Sequence, residues 1–179
     1  MSGDPFWYAI TAAELVVDEG VMAFHMGLGT KHYAGDCDIV RGRNPLVRAL
    51  LRSAGFPEEG RNVPVHLTLI TTPEGAEWHR DFDEHVTRSF MRWSASSQRV
   101  TERFGPFTVD MRFGAENRSL LVHIARLRCL GLPVPGFLCP RSETREYMDA
   151  AGRFCFDVSA HLPLFGLLIR YRGRVLPVD

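Results

Sequence analysis

Four side chains in this sequence belong to types that enzymes use as general acids and bases: Glu102, Glu146, His123 and Tyr171. Glu102 opens the stretch Glu102-Arg103-Phe104-Gly105-Pro106-Phe107, which joins an ion pair, a turn and two aromatics. In an apolar pocket its carboxyl would hold a proton more tightly and could donate or accept one. The plainer reading is a strand corner, with Gly-Pro setting the bend. Glu146, beside Tyr147, carries the same two readings. His123 shares a strand face with Leu121, Ala125 and Leu127. An imidazole there is either a core residue with one satisfied hydrogen bond or a proton carrier titrating near neutrality.

A second constellation lies on a hairpin. With a loop of three residues, Asp83 to His85, one strand face reads Trp78, Arg80, Phe82, Val86, Arg88, Phe90, Arg92. That register sets Arg80 opposite Arg88, and facing like charges destabilise a sheet unless a negative group lies between them. Glu102 or Asp157 could supply it, as could an anionic ligand group gripped by both guanidiniums. The alternative is an outward face with arginine stems lying across aromatic rings. Arg103, Tyr147 and Arg170 complete the candidate ligand contacts.

Other patterns dissolve on inspection. His79, Asp81, Asp83 and His85 alternate like metal ligands, but the turn expected at Asp83 to His85 breaks their alignment, so no metal is expected. Asp157, Ser159 and His161 lie on one strand without a nucleophile elbow, which argues against a serine hydrolase. Gly27-Leu28-Gly29 is half of a dinucleotide fingerprint and follows a helix rather than a strand. No cofactor is expected. The formal net charge is zero, which provides no general field for nucleic acid or anionic membrane. Lys31 is the only lysine among 21 basic residues, so the cations are planar forks. Cys37, Cys129, Cys139 and Cys155 form no close pair, and free thiols in a reducing cytoplasm are the economical expectation. No signal peptide or membrane insertion is expected, since the longest apolar run is too short for a span.

The elements that must position these groups are mostly strands. Asp4 and Pro5 suit the start of a helix running to Met26, and Asn44 caps a second over Pro45 to Ala54. Lys31 to Val40 forms a strand, and after Pro64 the apolar period becomes two. Strands follow through Trp78–Phe82, Val86–Trp93, Val100–Phe113, Ser119–Cys129, Ser142–Met148, Arg153–Leu162 and Pro163–Val175. The 179 residues make one domain, with a helical part over 5–55 and an antiparallel sheet over 63–176. The fold class is α+β and β-rich: roughly seven to nine strands curled into a half-open or closed barrel, with the N-terminal helices packed on it.

ERFGPF (Glu102 to Phe107), GLPVPGFLCPRSETREYMDAAGRFCFDV (Gly131 to Val158) and LPLFGLLIRYRG (Leu162 to Gly173) together resemble the bacterial family of domain of unknown function 4166. The likeness extends more weakly to the Asn44–Gly60 helix and the Trp78, Arg80, Phe82 strand. Members of that family stand alone or follow oxidoreductase-like domains, so the resemblance implies that any redox role needs a separate protein. The family's usual histidine is replaced here by Arg170, and its aromatic by Arg174, so no role carries over to those positions. The residues themselves lead to a binder of a largely apolar small molecule, or a cofactor-free cyclase or isomerase acting on one inside the sheet. The competing expectation is a non-catalytic module that docks on a separate oxidoreductase or forms a homodimer.

Overall fold

Alternating apolar residues cannot leave one face of a long sheet in water, and here the sheet closes on itself. The computed structural model describes residues 2–53 and 55–178. Ala54, the expected last residue of the second helix, lies outside them. Ten antiparallel strands form a closed barrel. In chain order they are β1 (Gly29–Arg41), β2 (Gly60–Thr72), β3 (Gly75–Phe82), β4 (His85–Ser94), β5 (Arg99–Phe104), β6 (Phe107–Glu116), β7 (Ser119–Cys129), β10 (Thr144–Met148), β11 (Phe154–Leu162) and β12 (Gly166–Val178). Two short pairings, β8 (Leu132–Pro133) and β9 (Arg141–Ser142), flank the wall. Closure is made by β10, where Glu146 pairs with Leu120 of β7 on one side and Phe156 of β11 on the other.

The expected first helix is two. Asp4 caps α1 (Pro5–Ala12), its Oδ1 accepting from the amides of Phe6 (2.9 Å) and Trp7 (3.1 Å). Glu14 then turns left-handed (φ 49°), and Asp18 caps α2 (Glu19–His25). Both helices lie under the end of the barrel where β1 starts. Phe6, Ile10, Val21 and Phe24 are buried there and close that end. Lys31 reaches back to the C-terminus of α2, donating to the carbonyls of Ala23 (3.1 Å), Phe24 (3.0 Å) and Met26 (2.5 Å), which are left free where a helix ends. At the opposite end lie α3 (Pro45–Ser53), the turns β3–β4, β5–β6 and β11–β12, and the segment 130–140. No helix among the described residues is long and apolar enough to cross a membrane.

Two departures from strict alternation decide which side chains face inward. The β3–β4 loop has two residues, not three: Asp83 (φ 51°) and Glu84 (φ 71°) are both left-handed, and Phe82 pairs directly with His85. Such a turn matches the twist of the strands better than a longer loop. Arg80 therefore faces Thr87, while Arg88 pairs with His79. In β7 the register against β6 slips between Asp110 and Met111, leaving Ala125 as an extra residue. This bulge breaks the expected Leu121, His123, Ala125, Leu127 face. Left-handed conformation is costly for a residue other than glycine, so Glu84→Gly should raise stability by about 0.5–1 kcal/mol. A denaturant midpoint that stays put or falls would contradict this turn geometry.

Candidate functional site in the barrel interior

The barrel encloses a cavity of about 820 Å³, lined by Leu67, Met91, Val109, Met111, Val122, Ile124, Phe154, Phe156 and other apolar side chains. The size falls within the usual range of small-molecule sites, about 300–1,000 Å³. Water is a poor filler for such a space because few polar groups meet it there. The polar exceptions are therefore the informative ones, and they fall in two groups.

The first lies at the closed end. His25, the last residue of α2, is fully buried between two carboxylates: Nδ1 is 2.8 Å from Asp4 Oδ2 and Nε2 is 2.8 Å from Glu146 Oε2. Asp4 thus serves twice, capping α1 with one oxygen and holding the imidazole with the other. Burial alone would lower the imidazole pKa, but the charges and hydrogen bonds of Asp4 and Glu146 outweigh it and raise it to about 10. His25 is then an imidazolium donating from both nitrogens. Glu146, 5% exposed, stands between this pair and the cavity it lines. Its other oxygen, Oε1, has no protein partner among the described residues.

The second group climbs the β3 side of the wall. Arg80 donates to Glu102 Oε1 (3.1 Å) and Ser89 Oγ (2.9 Å), and its guanidinium lies 4.9 Å from the centre of the Trp78 ring. Trp78 in turn stacks near His25 (6.1 Å, 18°), so its indole lies between the two polar groups. The Trp78 Nε1–H is buried with no hydrogen-bond partner, an unmet donor in the lining of an apolar space. Higher still, Tyr171 stacks on Phe82 (5.3 Å, 17°). Its phenol is pushed up by burial, against the opposing charges of Arg80 and Arg41, and stays a neutral hydroxyl. No hydrogen bond to that hydroxyl occurs among the described residues.

The expected site residues divide accordingly. Glu102, Glu146, Tyr171, Trp78, Arg80 and Phe82 come together on the cavity wall. Arg88 is exposed, faces outward by register and only edges the mouth. Phe90 also faces outward, so the single face shared with Trp78 does not exist; Arg92 instead lies over Phe90 outside (5.2 Å). The counter-charge expected beside Arg80 is present, and it is Glu102. Arg103 and His123 are exposed, the latter bonding the Ser142 carbonyl at 3.1 Å. Tyr147 lies under the Arg145 guanidinium on the outer face (5.9 Å), and Arg170 is tied to Asp157, donating from Nε and Nη2 to its two carboxylate oxygens. Phe90, Arg103, Tyr147, Arg170 and His123 thus lie outside the cavity, because each falls on the outward phase of its strand.

Sequence reasoning missed His25 altogether and saw Asp4 only as a cap. The one local signal was a histidine at a helix end, with nothing to connect it to a carboxylate 121 positions later.

A family model described as domain of unknown function (DUF4166) matches residues 21–175. No curated protein and no solved structure matches the chain.

Proposed function

The chain belongs to the DUF4166 family, and from the interior of its barrel we propose that it binds a largely apolar small molecule and moves a proton on it without a cofactor. What carries this reading is the apolar cavity of about 820 Å³, closed at one end over Glu146, a carboxylate with one oxygen free. The apolar body of the ligand would fill the space between β3, β6, β7 and β11. Its polar end would meet the Trp78 indole N–H, the Tyr171 hydroxyl and the Arg80–Glu102 pair. Glu146 would take a proton from one carbon of the bound molecule and return it at another atom, the balance of an isomerisation or of a ring closure in which the carbanion attacks an acceptor double bond and the atom that gains its electrons is reprotonated. His25 and Asp4 would hold that carboxylate in place and stabilise its charge before the first transfer and after the second. The competing docking-module reading asks for an exposed apolar patch and no cavity; exposed apolar side chains are present at the open end, and the hollow interior speaks against it.

The binding half is tested with 8-anilino-1-naphthalenesulfonate, an apolar probe with an anionic end whose fluorescence rises in apolar surroundings. Ala160 lines the cavity near the mouth. Ala160→Trp should fill the space, weaken probe binding by about tenfold or more and leave the melting temperature unchanged or higher, since the new ring enters a void and not a packed core. Unchanged probe affinity would place the dye elsewhere and remove the main support for an interior site.

A further inference from the structure

Among the described residues, nine of the fifteen exposed large hydrophobic side chains gather at one end of the barrel, the end where the cavity opens. They come from separate segments: Leu46 (70% exposed) on α3, Val86 (51%) at the start of β4, Phe137 (61%) between β8 and β9, and Leu164 (71%) on the β11–β12 turn are representative. Helix α3 shows how deliberate the arrangement is. Val47 and Leu51 pack inward, 2% and 1% exposed, while Leu46 and Leu50 stay exposed at the rim of the cavity.

Charge is divided the same way. The segments at the mouth (41–61, 82–86, 103–107, 128–141 and 162–166) hold eight arginines and four carboxylates, in a chain whose formal net charge is zero. Arg43, Arg103 and Arg141 are exposed and pair with no carboxylate among the described residues. An apolar collar ringed by unpaired guanidiniums matches the surface of a bilayer containing anionic lipid: the side chains enter the acyl boundary while the arginines meet phosphates.

We infer that the open end of the barrel docks on an anionic bilayer surface, with its collar of apolar side chains seated among the lipids and the cavity mouth facing the membrane. The proposed ligand would then enter the barrel from the bilayer without crossing water. That route rests on the apolar-ligand reading, but docking itself does not, and the two are measured separately.

The test is co-sedimentation of the full chain with vesicles of phosphatidylcholine plus phosphatidylglycerol, against pure phosphatidylcholine. Binding is expected to the mixed vesicles and to weaken as salt rises. Each of Arg43→Gln, Arg103→Gln and Arg141→Gln should weaken it by about fivefold at low salt. The triple variant Leu132→Asp, Phe137→Asp, Leu164→Asp, three exposed residues of that end which do not line the cavity, should lose about tenfold or more and still bind the naphthalenesulfonate probe inside the barrel, which shows that it has folded. Val16→Asp and Leu28→Asp, exposed at the closed end, should bind vesicles as the unmodified chain does. The inference is overturned if the chain stays in the supernatant with both vesicle types at low salt, or if the collar variants sediment like the unmodified chain. It is equally overturned if sedimentation velocity shows a dimer that the triple variant abolishes and vesicles do not compete with it, since a second copy would then cover the collar.

Discussion

Replacing His25 by alanine is expected to lower folding stability at neutral pH by about 3–5 kcal/mol, the cost of leaving buried charges without their partner. Both neighbours suffer: Asp4 and Glu146 would face each other across a hole, with the imidazolium that separates them gone. Against a typical total of about 5–15 kcal/mol, such a loss is large. Urea unfolding at neutral pH measures it directly. The same group predicts a pH dependence. The folded pKa of His25, about 10, lies above its unfolded value of 6.5. Its contribution is therefore complete below pH 6.5 and disappears as pH rises from there through about 10. At about 1.4 kcal/mol for each pH unit across which only the folded state holds the proton, the loss amounts to roughly 4–5 kcal/mol. The buried phenols of Tyr33 and Tyr171, both raised by burial, would release protons only above that window. Lys31, lowered by burial, works in the opposite sense. The alanine variant should lack the slope between pH 6.5 and about 9, so that the two stability curves converge at alkaline pH. Above that range the thiols of Cys37, Cys139 and Cys155, raised by burial, add a loss common to both proteins. Parallel curves would mean that His25 is not held as an imidazolium.

How legible this was in the sequence depends on the range of each interaction. The strands were visible because a barrel wall separates inside from outside at every second residue, as in Val65, Leu67 and Leu69, all buried. Closure followed from the need to hide two long sheet edges. Which phase faced inward was less secure, because one residue of turn or bulge inverts it. The Asp83-Glu84 turn moved Arg88 and Phe90 outside, and the extra Ala125 put His123 in water while leaving both Ile124 and Leu127 on the cavity. The Asp4–His25–Glu146 array was invisible for a different reason. Its members come from a cap, a helix end and a strand that meet only because the helices plug the barrel. A formal net charge of zero hid a further feature, since it adds a basic mouth to a more acidic remainder and reports neither.

The second large effect concerns Glu146, and it separates a proton carrier from a strut. Glu146→Gln keeps the shape of the side chain and an oxygen that can accept from His25 Nε2–H, so the cost in stability should be modest, about 1–2 kcal/mol. What it removes is the negative charge and the ability to take a proton. One consequence needs no substrate. With a single carboxylate left beside it, His25 should release its proton at lower pH, so the loss of stability that begins near pH 6.5 should end earlier and be smaller in total. The other is chemical. 5-Nitrobenzisoxazole is flat and largely apolar, and its ring opens when a base takes the proton from C3: the C–H electrons form the nitrile, the N–O bond breaks, and a cyanophenolate leaves with the negative charge. One oxygen of Glu146 is held by His25, and the other faces an apolar cavity where water does not compete with the probe for it. The unmodified protein should therefore accelerate the opening, followed by the absorbance of the phenolate, and Glu146→Gln should lower that rate by about 10²–10⁴ while binding the naphthalenesulfonate probe normally. Glu102→Gln is the comparison: its carboxylate is already engaged by Arg80, so its loss should leave most of the rate. If the two variants fall together, the cavity has no distinct base. If neither falls, the buried array serves only to hold the helices under the barrel.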